Sequence, residues 1–417
     1  MKVLYLSNGL PHYFNPVLSA INRMPGVDLI AIVPKTKSQF IGDGVYQTRE
    51  DANFRIIELQ EYVIGRPFAS FKGLPAVLYR EKPDVVVIPE HLLLAFHLHP
   101  MLWLLRRILR FGLVLKSIPF TVPYYSEALR ETSRSDQARS MNAIAGQKAY
   151  KTWPRRLRSR LTLRLRRDRY RRIDAHVNYI DEGRDIYRSY GVSADKVFVT
   201  RNSPDTDRML KVELGLSQMG KIPQRSPMRV LHVGRLVLQK RVDLLLTAFR
   251  DVVACLPQAE LLVVGDGPEA ASFRGLAETL GIAKNVIFAG PVYDPYELAI
   301  HFLSSSVFVL PGLGGLSINE AMFYGLAVIC SGGDGTERFL VREEWNGTFF
   351  HEGEVEGLTH AMVALLSDQK RLAEMGRRSR EIIDREVNIQ TVVREYARAF
   401  RAALRTERQD GVERVGL

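Results

Sequence analysis

The stretch VLHVGRLVLQK, residues 230–240, decides the fold. Its first four residues form a short strand-type run, Gly234 stops it, and cations follow at Arg235 and Lys240. Behind them Val242, Leu245, Leu246, Phe249, Val252 and Val253 recur at helical spacing until Pro257, so the segment reads strand, turn, helix. Working downstream, similar runs stand at Leu261 to Val264, Val286 to Phe288, Val307 to Leu310 and Val328 to Ile329. Upstream they stand at Val3 to Leu6, Leu29 to Val33, Ile56 to Leu59, Val85 to Ile88, Leu113 to Leu115 and Val197 to Val199. Continuously apolar strands alternating with helix-length segments indicate parallel sheets covered on both faces, the doubly wound α/β class.

The pattern pauses once, at ELGLSQMGKIPQRSP, whose Gly, Pro and Ser content reads as an interdomain linker. The expectation is therefore two Rossmann-like domains facing across a cleft. Residues 1–212 form a first domain with a basic insertion at 130–172, 213–227 a linker, 228–388 a second domain, and 389–417 a helix and frayed tail. Ligands of such sheets bind beyond the carboxyl ends of the strands, which makes the cleft the expected site.

Three strand ends in the second half carry special turn chemistry. Gly234-Arg235-Leu236 with Lys240 supplies two cations before a helix, a natural diphosphate site, although solvated turn charges would look the same. Gly265-Asp266-Gly267-Pro268 ends the next strand, and Pro311-Gly312-Leu313-Gly314-Gly315-Leu316 a later one. Glycines let amide N–H groups approach a phosphate or sugar hydroxyl without side-chain obstruction. Glu320, on the helix of Ser317 to Tyr324, is placed to accept two ribose hydroxyls or to be an acid favoured near a helix start.

With GRLVLQK, GDGP, VIFAG, LPGLGGLSINEAMFYGLAVICS and GGDGTE, residues 230–341 resemble the retaining GT-B glycosyltransferases of family 4, which include bacterial polysaccharide and lipid glycosyltransferases. The resemblance implies a sugar-nucleotide donor with Arg235 and Lys240 on the diphosphate and Glu320 on the ribose. It places the amides of Gly314, Gly315 and Leu316, with Gly234, Gly265 and Asp266, around the donor, and Ala289 to Tyr296 beside the base. The family commonly has two glutamates separated by seven residues; the second falls on Glu320, while the first falls at 312, here glycine.

The first half resembles the family weakly. Gly9, in Asn8-Gly9-Leu10-Pro11-His12, matches the loop that members place after the first strand, and His91 follows the strand DVVVIP directly. His91 is the candidate catalytic histidine, with His12 behind it; a packed or surface histidine is the competing reading. His97 and His99 diverge on a helix and make a poor metal pair. Asp205-Thr206-Asp207 matches a D-x-D metal motif but reads better as turn and helix-start chemistry. No metal and no cofactor are assigned.

The chain has 417 residues and a net charge of +12, and the segment from Arg130 to Arg172 holds 15 of its 58 basic but only three of its 46 acidic residues. That segment carries the whole excess, which disfavours a broadly basic nucleic-acid binder. Within it Trp153, Leu157, Leu161 and Leu165 recur every four residues among Arg155, Arg156 and Arg158, the pattern of an interfacial helix on an anionic membrane. A solvated helix packed on the domain, or a grip on a pyrophosphate-linked acceptor, fits the same residues. Cys255 and Cys330 are too few for a disulfide framework or four-ligand zinc site, and the first residues lack a signal-peptide run, so a cytoplasmic protein peripheral to the membrane is expected. The reading is hexose transfer from a UDP- or GDP-sugar to a lipid-linked or polysaccharide-precursor acceptor. Its alternatives are an epimerase or hydrolase on the same fold, or a non-catalytic sugar-nucleotide-binding protein.

Overall fold

The computed structural model describes residues 1–38, 46–49, 52–63, 69–118, 122–133, 156–332 and 335–412. The chain divides into two compact units, one reaching to Arg201 and resumed at Gln390, the other running from Asn202 to Ile389.

The first unit is built on seven parallel strands: β1 (Lys2–Leu6), β2 (Asp28–Pro34), β3 (Arg55–Leu59), β6 (Val85–Pro89), β7 (Gly112–Lys116), β8 (Ala175–Asn178) and β9 (Val197–Val199). A small antiparallel pair, β4 (Glu61–Val63) and β5 (Ala69–Phe71), stands apart. The order β3-β2-β1-β6-β7-β8-β9 reverses direction between β1 and β6, the switch point of a doubly wound sheet. Leu4, Leu6, Val86, Ile88, Leu113 and Leu115 form one buried face. The β-branched runs expected from the sequence are these strands, buried on both sides.

The helix Ile389–Val412 returns to this sheet. It buries Val392, Tyr396, Ala399, Phe400 and Ala403, a stripe whose large side chains contribute about 1.5–3 kcal/mol each. Gly112 permits the contact, because a Cβ there would lie 2.8 Å from the Ala403 side chain. Residues 390–412 are thus part of the first unit, and the helix runs past Arg405, where fraying was expected, to Val412.

The second unit repeats the plan with β10 (Arg229–Val233), β11 (Glu260–Val264), β12 (Val286–Gly290), β13 (Val307–Leu310), β14 (Ala327–Cys330) and β15 (Gly347–Phe349), in the order β12-β11-β10-β13-β14-β15. The helix Val242–Cys255 buries the apolar side read from the sequence. The linker expected at 213–227 is corrected in part: residues 213–218 continue the helix Thr206–Gln218. Val212 and Leu216, four apart, are buried in the core of this unit, so the helix belongs here despite its polar outer face. The boundary consequently falls near Asn202 rather than at 212.

Candidate functional site

At the switch point of the second sheet, between β10 and β13, three loops pack backbone against backbone. Gly234 N–H donates to Val264 O (3.0 Å) and Leu236 N–H to Asp266 O (2.9 Å). Gly265 has φ +138, and a Cβ on it would lie 1.9 Å from Gly234 O; on Gly267 it would lie 2.4 Å from Leu236 O. Only glycine fits this stacking. Gly265 N–H also donates to Gly290 O (2.8 Å), which brings the start of the 289–296 stretch to the same edge. Asp266 turns an oxygen onto the Gly267 amide (2.8 Å), and Arg235 is exposed.

The third loop is held by Lys240. Its ammonium donates to Leu313 O (2.7 Å) and Gly314 O (2.6 Å), and Leu313 N–H donates to Gln239 O (3.0 Å). Lys240 can do this because residues 238–240 form a tight turn closed by Arg241 at φ +52, a left-handed value unusual for a non-glycine residue. Glu320 lies on the helix Ser317–Phe323 immediately after the loop, and loss of water around its carboxyl pushes its pKa up to about 7. Below the site, buried His232 on β10 donates Nδ1–H to Val309 O of β13 (3.0 Å), tying the two strands at the switch point. Desolvation lowers its pKa to about 4, so it adds no positive charge beneath Lys240 at neutral pH.

In the first unit Gly9 has φ +155 and Ser7 Oγ–H donates to its carbonyl (2.7 Å), while Leu10 N–H donates to Gln47 Oε1 (3.0 Å). His91 sits in the turn that follows β6, and burial lowers its pKa to about 4, leaving a neutral imidazole at pH 7. His12 is exposed, and His97 donates Nδ1–H to Leu93 O (2.9 Å) one turn back on its own helix. Asp205 caps the helix that starts at Thr206 by accepting from Arg208 N–H (3.0 Å). Among the described residues no three His, Cys, Asp or Glu side chains gather as a metal site.

Of the interfacial residues, Trp153 and Arg155 lie outside the described residues. Arg156, Leu157, Arg158 and Leu161 lie on the helix Arg156–Arg171, and Leu165 on the same helix is exposed. Leu163 and Tyr170 are buried, so this helix rests on the first unit by a different side from the one bearing Leu165.

Residues 221–382 match the family model described as glycosyl transferases group 1. Over 231 residues the chain is 26% identical to the N-acetyl-alpha-D-glucosaminyl L-malate synthase of Bacillus anthracis, covering 55% of this chain and 57% of that protein. Over 157 residues it is 31% identical to a GDP-mannose-dependent alpha-(1-6)-phosphatidylinositol monomannoside mannosyltransferase of Mycolicibacterium smegmatis, covering 35% and 41%. The chain thus spans about half the length of these curated relatives. Among solved structures, Anabaena HepE in complex with UDP aligns over 95% of this chain and 98% of its own, with TM-score 0.64 at 17% identity. Sucrose-phosphate synthase of Thermosynechococcus elongatus aligns over 96% and 98%, with TM-score 0.63 at 19% identity. The fold is GT-B.

In this GT-B chain the glycine at 312 has a steric cause. A Cβ at that position would stand 2.2 Å from Gln239 O and 2.8 Å from Lys240 C, so the loop rests on the Lys240 turn where any side chain would intrude. The contact made by Lys240 with the loop carbonyls was not legible in the sequence, which offered only a cation five residues after Arg235. His232 was missed as well; a histidine inside an otherwise apolar strand was its signal.

Proposed function

We propose that the protein is a retaining glycosyltransferase that moves a hexose from a UDP- or GDP-sugar to a lipid-linked or polysaccharide-precursor acceptor. The observation that carries the reading is the convergence of the Gly234, Gly265 and Gly312 loops around Lys240, inside the segment that matches the group 1 family model. Such a floor of backbone groups and cations suits a diphosphate, and a transition state in which charge grows on the leaving phosphate gains most from preorganised donors. In this reading Arg235 contacts the diphosphate directly, and Lys240 sets the glycine loop as well as contributing its charge. Glu320 accepts the ribose hydroxyls when ionised. The acceptor hydroxyl passes its proton to the departing phosphate oxygen, with neutral His91 near the acceptor. The named relatives are synthases and transferases, which favours transfer over an epimerase or hydrolase and over a non-catalytic binder.

A membrane-bound acceptor is supported by the surface of the first unit. On the helix Pro100–Leu109, Met101 (49% exposed), Leu104 (43%) and Ile108 (62%) share one face beside exposed Trp103. Arg107 on that helix and Arg110 at its end are exposed too, and Arg106 pairs with Asp174 (2.8 Å), three residues past the end of the basic helix Arg156–Arg171. An apolar face ringed by cations suits an anionic lipid surface at the cytoplasmic face of the membrane. No single helix among the described residues is long and apolar enough to cross a membrane.

A thermal-shift screen against UDP, GDP, ADP and CMP tests the donor site, because a ligand of the folded state raises the melting temperature. A selective rise identifies the base; no rise with any of the four removes the nucleotide-sugar reading. The anomeric configuration of the product, read by proton NMR, tests retention.

A further inference from the structure

Lys116 ends β7 at the carboxyl edge of the first sheet and has no part in the reading above. The strand GLVLK is buried up to its last residue. Alternation along it sets Lys116 on the face of Val114, and the register carries that face through Val87 to Tyr5 of β1. The ammonium lies 3.3 Å from the ring centroid of Phe14 and 5.7 Å from that of Tyr5. Tyr5 is fixed from behind, its hydroxyl 3.3 Å from that of Tyr396 on the helix Ile389–Val412.

Among the described residues no carboxylate pairs with Lys116, and burial raises the pKa of both Tyr5 and Tyr396, so neither supplies a phenolate. Two aromatic faces attract an ammonium but replace only part of its lost hydration. The outcome is a pKa lowered to about 7 by desolvation. On the same sheet, Asn8, two residues past the end of β1, buries its Oδ1 with no hydrogen-bond partner among the described residues. An unpaired cation and an unused acceptor atom thus stand at the ends of strands of one sheet, on the edge where doubly wound sheets take their ligands.

We infer that Lys116 is the anion receptor of the first unit, binding a phosphate group carried by the acceptor, with Asn8 Oδ1 accepting from a hydroxyl of the same molecule. The identity of that molecule as an acceptor rests on the glycosyl-transfer reading; the anion site itself rests on the geometry of the first unit alone. The phosphate belongs either to a soluble phosphomonoester or to a lipid diphosphate, and Lys116 serves both by the same charge-assisted hydrogen bonds.

The test is site-resolved acylation of the full chain by an N-hydroxysuccinimide ester at pH 7, followed by peptide mass spectrometry, with methyl phosphate or farnesyl diphosphate as the added probe. Lys116 is expected to react early, being partly deprotonated, and to be slowed at least about 10-fold by one probe while exposed lysines are unaffected. Calorimetric affinity for the protecting probe is expected to fall on the order of 10- to 100-fold in Lys116→Met, which keeps the chain length and removes the charge. The probe that protects better tells a phosphomonoester from a diphosphate lipid. Unchanged labelling of Lys116 with both probes overturns the inference, whatever the behaviour of the variant. Protection of Lys116 without nucleotide binding keeps the anion site and removes the transfer reading; nucleotide binding without protection removes this inference alone.

Discussion

Gly312→Ala is the most direct probe of how the second unit builds its site. The added Cβ would stand 2.2 Å from Gln239 O, 2.8 Å from Lys240 C and 3.0 Å from Lys240 O, all backbone atoms of a tight turn. An ordinary carbon–oxygen contact is roughly 1 Å longer than the first of these, since non-bonded heavy atoms settle near 3.5 Å. The glycine loop must therefore lift by about that much, which stretches the Leu313 N–H bond to Gln239 O and the two Lys240 bonds to Leu313 O and Gly314 O. Overpacking of this kind costs about 1–3 kcal/mol, and each weakened bond adds up to about 1 kcal/mol. A destabilisation of about 2–4 kcal/mol is expected, equivalent to a fall in Tm of roughly 5–15 °C for a unit of this size. Trp345 is the only tryptophan of the second unit, so urea titration followed by fluorescence after Trp103→Phe and Trp153→Phe reports on that unit. A midpoint within about 0.5 kcal/mol of the parent would refute the packing argument and reopen position 312 to a carboxylate.

The remaining predictions address charge and surface. Glu320 has its pKa raised above the ordinary 4.5 to about 7, so the folded state holds the extra proton and stability falls as pH rises from about 4.5 to 7. Glu320→Gln should lessen that fall, by about 1–3 kcal/mol between pH 5 and pH 8 in urea titrations, and should also weaken nucleotide binding above pH 7; identical pH profiles would show that Glu320 stays ionised. Lys240→Met removes two charge-assisted bonds and should speed amide exchange at 313–316 by at least about 10-fold, whereas Arg235→Ala should leave exchange unchanged and lower turnover on the order of 10²- to 10³-fold. Equal exchange in both variants would deny Lys240 its hold on the loop. Leu104→Asp with Ile108→Asp, both exposed, should leave stability within about 0.5 kcal/mol yet reduce co-sedimentation with anionic vesicles, and undiminished sedimentation would assign membrane contact elsewhere.

Much of the molecule was determined by local sequence. Runs such as VVVI and LLVV cannot face water on either side, so they specify buried parallel strands, and the glycines at 234, 265 and 267 follow from backbone that must touch backbone. The candidate donor residues were legible for the same reason: strand-end turns carry their chemistry in short contiguous motifs. The strand AHVN at 175–178 was not legible, because four residues with a histidine and an asparagine have no pattern of their own and are fixed by pairing to β7 and β9. Helix 206–218 was half hidden by its Gly215 and Ser217, which read as linker, and only its burial of Val212 and Leu216 shows where it belongs. The place of residues 390–412 on the first sheet likewise depends on a contact between Gly112 and Ala403, nearly 300 positions apart. Tertiary structure alone decided the two lysines. Lys240 read as a cation for a diphosphate or for solvent and proves to hold carbonyls 73 and 74 residues away, while Lys116, just past the run Leu113 to Leu115, carried no signal and proves to be a charge enclosed by rings from β1 and the segment that follows it. The composition of a strand shows that it is buried; what surrounds the charge at its end depends on which distant segments the fold brings there.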